Sequence, residues 1–276
     1  MGMTRLMARA SATDRLSALS DDVLLDHIFT KISYTDVIRS SILSQRWRFL
    51  WRKTPILKFC RQDFEKQKDD RILAIINNAL LHLDARLLYF NLRIALDDPK
   101  AADINTWIRL AAEKKVERME LHISYRDPNR TLNASTIVEL GETVFRCENL
   151  TALVLKSINL PMIPNNFGVF RSLKKLYCWG NLNLDDAMFE QFMAVCPHLR
   201  NLGIGGCRGL RNLIIRSSNL MYLQLTVLSP GLSLQIACPR LTEISLIDWG
   251  PCSGLKLLQG ISRSESIKRI IIHSML

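Results

Sequence analysis

No apolar run in this chain approaches the roughly 18 residues that a helical bilayer crossing requires, so a membrane-spanning helix is excluded. Paired cysteine motifs are missing as well. The seven cysteines, Cys60, Cys147, Cys178, Cys196, Cys207, Cys238 and Cys252, are odd in number and contain no CxxC. With no signal-peptide pattern, this predicts reduced thiols and a nuclear or cytoplasmic location. Neither GxGxxG nor P-loop spacing occurs, and Gly203-Ile204-Gly205-Gly206 reads as a turn between repeats. His27, His82, His122, His198 and His273 are far apart, HExxH is absent, and Cys196 with His198 stands alone. No metal, cofactor or catalytic nucleophile is therefore expected, and the chain is not expected to be an enzyme.

What is present is an ordinary globular composition, 48% hydrophobic and 23% charged over 276 residues, with a net charge of +11. The charge is uneven: residues 1–68 carry +6, 69–149 carry −2 and 150–276 carry +7. Such a balance favours an acidic partner. Nucleic acid is disfavoured because the basic residues are scattered among acids and no recognised nucleic-acid module appears.

Residues 1–13 read as a flexible tail. From Asp14 to Pro55 the pattern is helical: Val23, Leu24, Ile28 and Phe29 follow Ser20-Asp21-Asp22, where Ser20 can cap and the acids favour a helix N-terminus. A second helix is predicted over Thr35–Leu43 and a third over Gln45–Arg52, capped by Ser44. Between 56 and 86 a helical linker is expected, with Ile72, Leu73, Ile75, Ile76, Leu80 and Leu81 as its apolar stripe.

From Leu87 to the end an internal repeat takes over. Apolar residues at positions 1, 4 and 6 recur, with Cys178 at one such position, in units starting at Leu87, Val116, Leu150, Leu173, Leu199, Leu220, Leu241 and Ile267. Most spacings match a leucine-rich repeat of roughly 20–29 residues. Two extra copies, Leu210/Leu213/Ile215 and Gly231/Leu234/Ile236, fall midway through the shortest units. They are predicted to be return strands where the chain is too short for a helix. Longer units have room for helices at Asp185–Val195 and Gly254–Ser262. The fold class expected is α/β: N-terminal helices, then a solenoid with a parallel sheet and a mixed helix/strand convex side.

The stretch Asp14-Arg15-Leu16-Ser17-Ala18-Leu19-Ser20-Asp21-Asp22-Val23-Leu24, followed by Ser41-Ile42-Leu43-Ser44-Gln45-Arg46-Trp47-Arg48-Phe49-Leu50-Trp51, resembles a plant F-box. The repeats, including Cys196-Pro197-His198-Leu199-Arg200-Asn201-Leu202 with Cys207 at a turn and Asn181 matching it one unit earlier, resemble those of plant F-box/leucine-rich-repeat proteins. The resemblance implies an F-box over 14–55 and repeats over 87–276. It implies docking on the Skp-type adaptor of a cullin-RING (SCF-type) ubiquitin ligase, while the repeats hold an unidentified target protein for ubiquitination. Carried over by position, Leu16, Leu19, Ser20, Val23, Leu24, Ile28, Val37, Leu43, Trp47, Leu50 and Trp51 would form the adaptor-docking helices, some of them packing internally. A helical unit of this size cannot bury its own apolar surface, which also points to a partner groove.

Two positions that are usually proline in the family, one before each of the first two helices, are Ser20 and Ser33 here, and the loss of proline is expected to weaken docking. Many relatives also continue into a further C-terminal module. The sequence given stops after Ile270-Ile271-Ile272, which implies an exposed last strand or a shortened version. Residues pointing out from the concave sheet, Lys175, Tyr177, Asn201, Tyr222, Gln224, Glu243 and Arg269, are the expected target-binding set. The competing reading is a repeat scaffold that binds a protein without engaging the ligase.

Overall fold

The computed structural model describes residues 18–127, 138–163, 170–181, 183–207, 209–226, 232–247 and 267–273. Leu16, the expected helix Gly254–Ser262 and the tail 1–13 lie outside them.

Helix α1, Asp21–Val23, begins where Ser20 Oγ accepts from Val23 N, and runs into a wider π-helical segment, Leu24–Phe29. Helix α2, Tyr34–Ser40, is capped by Ser33, whose Oγ accepts from Asp36 N. It ends earlier than the expected Leu43, because Ser41, Ile42 and Leu43 donate to carbonyls only three residues back. This tightening turns Ile42 and Leu43 outward. The expected third helix is also not an α-helix. After Ser44 Oγ accepts from Trp47 N, the chain turns into a 3-10 segment, Leu50–Lys53. The three-residue period of that geometry sets Trp47 and Leu50, both buried, on one side.

Strand β1 (Ile56–Phe59) and helix α3 (Asp69–His82) follow, then β2 (Tyr89–Leu96), α4 (Ala101–Glu113), β3 (Arg118–Tyr125) and β4 (Val138–Glu139). The order continues β5 (Ala152–Lys156), β6 (Ile158–Asn159), β7 (Lys175–Trp179), α5 (Asp186–Val195), β8 (Asn201–Gly205), β9 (Asn212–Arg216), β10 (Tyr222–Thr226), β11 (Ser233–Ala237), β12 (Glu243–Ile247) and β13 (Arg269–His273). Nine of these form one parallel sheet, ordered β1-β2-β3-β5-β7-β8-β10-β12-β13. All eight expected repeat strands occur in chain order.

The ninth strand, β1, lies inside the stretch expected to be a helical linker. It pairs in register with β2, Leu57 opposite Phe90 and Phe59 opposite Leu92. Its repeat template has Thr54 at position 1, where the other units carry an aliphatic residue, so an apolar search passes over it. Thr54 is nonetheless fully buried, its hydroxyl bonded to Ile56 O.

Positions 4 and 6 of each unit point to one face and stack from rung to rung, for example Phe90, Met119, Leu153, Leu176, Leu202, Leu223 and Ile244, all buried. Neither a strand nor a helix of this kind can cover its own apolar side, so the stack is closed by α3, α4 and α5 through Ile72, Ile76, Trp107, Ile108, Phe189 and Phe192. In the two shortest units the closing elements are β9 and β11. These pair with each other in parallel, Leu213 opposite Leu234, as the spacing predicted. Asp186, in the first turn of α5, accepts from Arg211 N at 2.8 Å and Asn212 N at 2.9 Å, fixing the first return strand to the helix before it. Buried Asn181 donates through Nδ2 to Ile158 O as the chain leaves β7.

Candidate functional site

The first surface is built on a small core of its own. Leu24, Phe29, Val37, Trp47 and Leu50 are buried together, and the Phe29 and Trp47 rings meet edge to face at 5.8 Å. Of the residues expected to dock, Leu24, Val37, Trp47 and Leu50 are therefore this unit's interior and hold its shape. Leu19, Ile28 and Trp51 are half-buried against them, Val23 is half-buried and Ser20 exposed. Arg46 closes the unit by donating to Asp21 Oδ1 and Leu19 O.

The outward apolar side chains are Ile42, 86% exposed, Leu43, 62%, and Phe49, 61%. Leu43 was expected; Ile42 and Phe49 were not. The sequence signal was an apolar residue next to a core position with no place in the helical stripe. Three large apolar groups within eight residues of a small module form a surface suited to a partner.

Ser20 and Ser33 show what replaces the two family prolines. Their φ angles, −68° and −71°, are the values proline would impose, and each hydroxyl caps the helix that follows. Ser33 Oγ also reaches Asp63 Oδ1 at 3.2 Å, across to the repeat side. Around it, Tyr34 packs edge-on against Trp51 at 6.0 Å and tilted against Phe59 of β1 at 5.0 Å, and Lys58 Nζ donates to Thr30 O at 2.5 Å. Burial pushes the Tyr34 hydroxyl well above its usual range.

The second surface is the open face of the sheet, opposite α3, α4 and α5. Strand register sets its side chains in rows. One row runs Lys175, Asn201, Tyr222, Glu243, Arg269, and the next holds Tyr177 and Gln224. The structure thus brings the seven expected residues into two adjacent rows. Tyr222 Oη lies 3.2 Å from Gln224 Oε1, and Arg269 faces Glu243 at 3.9 Å. Burial raises the Tyr177 phenol, with the nearby Tyr222 hydroxyl adding to the effect and Asn201 opposing it.

The same rows extend toward β1 with residues the sequence reading left out. Arg118 lies over the Tyr89 ring at 4.6 Å, Asn91 Nδ2 donates to Glu120 Oε2 at 3.0 Å, and Arg93 pairs with Glu120 at 3.5 Å. A third row, Arg93, His122, Lys156 and Trp179, was missed because only two outward positions per strand were considered. The period of two supplies a third. The glycines of β8 act here: a Cβ at Gly203 would run into the Tyr177 ring and come within 2.9 Å of Trp179, and one at Gly205 would reach Trp179 at 2.8 Å. Both rings lean over β8 at the two open-face positions, Gly203 and Gly205, that have no side chain to stop them. The Gly-rich run is an aromatic seat as well as a turn.

Burial pushes the Cys147 and Cys196 thiols up to about 12, and those of Cys207 and Cys238 to about 11, leaving all four protonated and unreactive at neutral pH. Six cysteines are free and none is in a disulfide among the described residues, and no His/Cys/Asp/Glu group among them could hold a metal.

A capped helical unit with an apolar outward edge, fused to a parallel repeat sheet with one open face, defines the F-box/leucine-rich-repeat class. Comparison with known proteins makes this specific. Residues 16–59 match the F-box domain model, and residues 104–269 match the model for the leucine-rich repeats of FBD-associated F-box protein At5g56370. The chain belongs to the plant F-box/leucine-rich-repeat family.

It is similar to Arabidopsis thaliana F-box/FBD/LRR-repeat protein At5g56420, 28% identical over 87% of this chain and 57% of that protein. It is likewise similar to FBD-associated F-box protein At5g56370, 30% identical over 67% and 42%, and to F-box/LRR-repeat protein At3g26922, 27% over 85% and 67%, both of the same plant. The chain spans between about two fifths and two thirds of the length of these curated relatives.

Proposed function

We propose that this chain is a non-catalytic substrate-recognition subunit of an SCF-type ubiquitin ligase in the nucleus or cytoplasm. The F-box docks on a Skp-type adaptor and the open face of the repeats holds a target protein. The observation that carries the reading is the exposed trio Ile42, Leu43 and Phe49 on a module whose own core is complete without them. Apolar side chains left over after a core is closed are what a partner groove accepts. Ser20 and Ser33 keep the backbone angles of the prolines they replace and cap their helices, which favours a working docking unit over a decayed one. The mechanism is proximity: a target held on the sheet is presented to the charged conjugating enzyme at high effective concentration, and the chemistry belongs to other subunits.

The test is co-purification with a plant Skp-type adaptor, beside Ile42→Asp and Phe49→Asp variants. Stoichiometric recovery that falls at least tenfold in the variants, with circular dichroism unchanged, is the expected result. No recovery from a folded chain, or recovery indifferent to these substitutions, would favour the ligase-free scaffold.

A further inference from the structure

Where the chain enters its strands, the sheet has an edge distinct from the open face. On that edge Thr151 O accepts from Lys174 N at 2.9 Å and Lys174 O accepts from Arg200 N at 2.8 Å, which stacks Thr151, Lys174 and Arg200 one rung apart ahead of β5, β7 and β8. With Arg171, His198 and Asn219 they line a pocket of about 360 Å³. Neighbouring strands stand about 4.8 Å apart, so from β5 to β10 the pocket spans about 14 Å, the reach of about four residues of extended peptide.

The charge here is all of one sign. Arg171, Lys174 and Arg200 are exposed, no acidic side chain lines the pocket, and none of the three makes an ion pair among the described residues. The described acids of residues 150–276 lie elsewhere: Asp185, Asp186 and Glu190 start or belong to α5, and Glu243 belongs to β12. The open face differs. There Arg93 is answered by Glu120 at 3.5 Å, and half-buried His122 is lowered to about 4 by burial, with Lys156, Arg93 and Arg61 adding to it.

Arg171 comes from the turn ahead of β7, and Lys174 and Arg200 come from successive rungs, so single negative charges spaced along a chain answer them better than one compact dianion. A carboxylate takes two N–H donors from either arginine and meets the lysine as a point charge. Asn219 Nδ2 donates to Pro197 O at 2.9 Å, which leaves its Oδ1 to accept a peptide N–H. One rung beyond Arg200, Met221 is 45% exposed and offers an apolar contact that a sugar-phosphate chain or a lipid headgroup would not use. No aromatic ring lines the pocket, so a nucleic acid would find no base stack there.

We propose that this pocket on the strand-entry edge docks a segment of a protein partner rich in aspartate and glutamate, with an apolar residue of that segment over Met221. The site lies off the open face, so the inference stands apart from what that face holds, and it requires no ligase.

The experiment uses the full chain and a short fluorescent peptide of alternating aspartate and glutamate ending in leucine, beside its asparagine/glutamine counterpart, a short oligouridylate and phosphatidylserine vesicles. The acidic peptide is expected to bind at least tenfold more tightly than the amide one. That binding should fall about tenfold in Lys174→Ala and in Arg200→Ala, the size of one charge-assisted hydrogen bond each. It should hold in Arg216→Ala, which removes the same charge from exposed Arg216 of return strand β9. The Met221 methyl signal, followed by NMR, should shift with the leucine-ended peptide and lose that shift when glycine replaces the leucine. Equal binding of the two peptides, a loss in Arg216→Ala as large as in Arg200→Ala, a Met221 signal indifferent to the leucine, or tighter binding of the oligouridylate or the vesicles would overturn the proposal. Adaptor recovery is read through Ile42 and Phe49, so this inference and the ligase reading fail separately.

Discussion

Ser33 does three things with one hydroxyl: it caps α2, meets Thr35 at 2.8 Å and reaches Asp63 beyond β1. Ser33→Ala is expected to lower stability by about 1 kcal/mol, read as a shift in the urea midpoint. Ser33→Pro should fit the backbone and recover part of that loss, because φ is already −71°. His122 sets a pH dependence whose sign follows from its lowered value. Unfolded, it takes its proton near 6.5; folded, only near 4. Between those values the unfolded chain binds more protons, so this contribution to stability is complete above pH 6.5 and is lost as pH falls toward 4. In His122→Gln, thermal melts across that window should show a flatter profile.

The elements differ in how openly the sequence announces them. The units from Leu87 to Leu246 could be read because each rung buries apolar side chains, Cys178 among them, at positions 1, 4 and 6, and a parallel stack has no other way to close. The return strands could be read for a simple reason of length: about ten residues cannot hold both a strand and a helix. Strand β1 could not, since a threonine whose hydroxyl bonds its own local backbone looks polar in sequence and behaves as core in the fold. The segment after Ser44 was misjudged because a spacing of three fits both an α-helix and a 3-10 turn over so short a run. The adaptor-docking set was only partly legible, as hydrophobicity alone does not say whether Trp47 or Phe49 faces inward. Between elements, Asp186 holds α5 and β9 together through two backbone amides. Asp186→Ala should cost about 1 kcal/mol and speed hydrogen exchange at Arg211 and Asn212 while leaving β2 and β3 unchanged.

At the scale of the whole molecule, the F-box and the repeats share packing. Tyr34, from α2, belongs to the large repeat core, and Trp51 touches both that core and the small one. Trp51→Ala is expected to destabilise both by about 2 kcal/mol, and exchange protection should fall together in α2 and in β1 and β2, as for one cooperative unit. If Trp51 merely filled a surface groove, only the residues beside it would respond. The contacts among Tyr34, Trp51, Phe59, Ser33 and Asp63 also act as a bracket that fixes an angle. Under the proposed function, that angle aims the cargo. Which lysine on a held protein comes within range would then be set by the joint between α2 and β1, and a short insertion after Lys53 would redirect the modification to another lysine without loosening the grip.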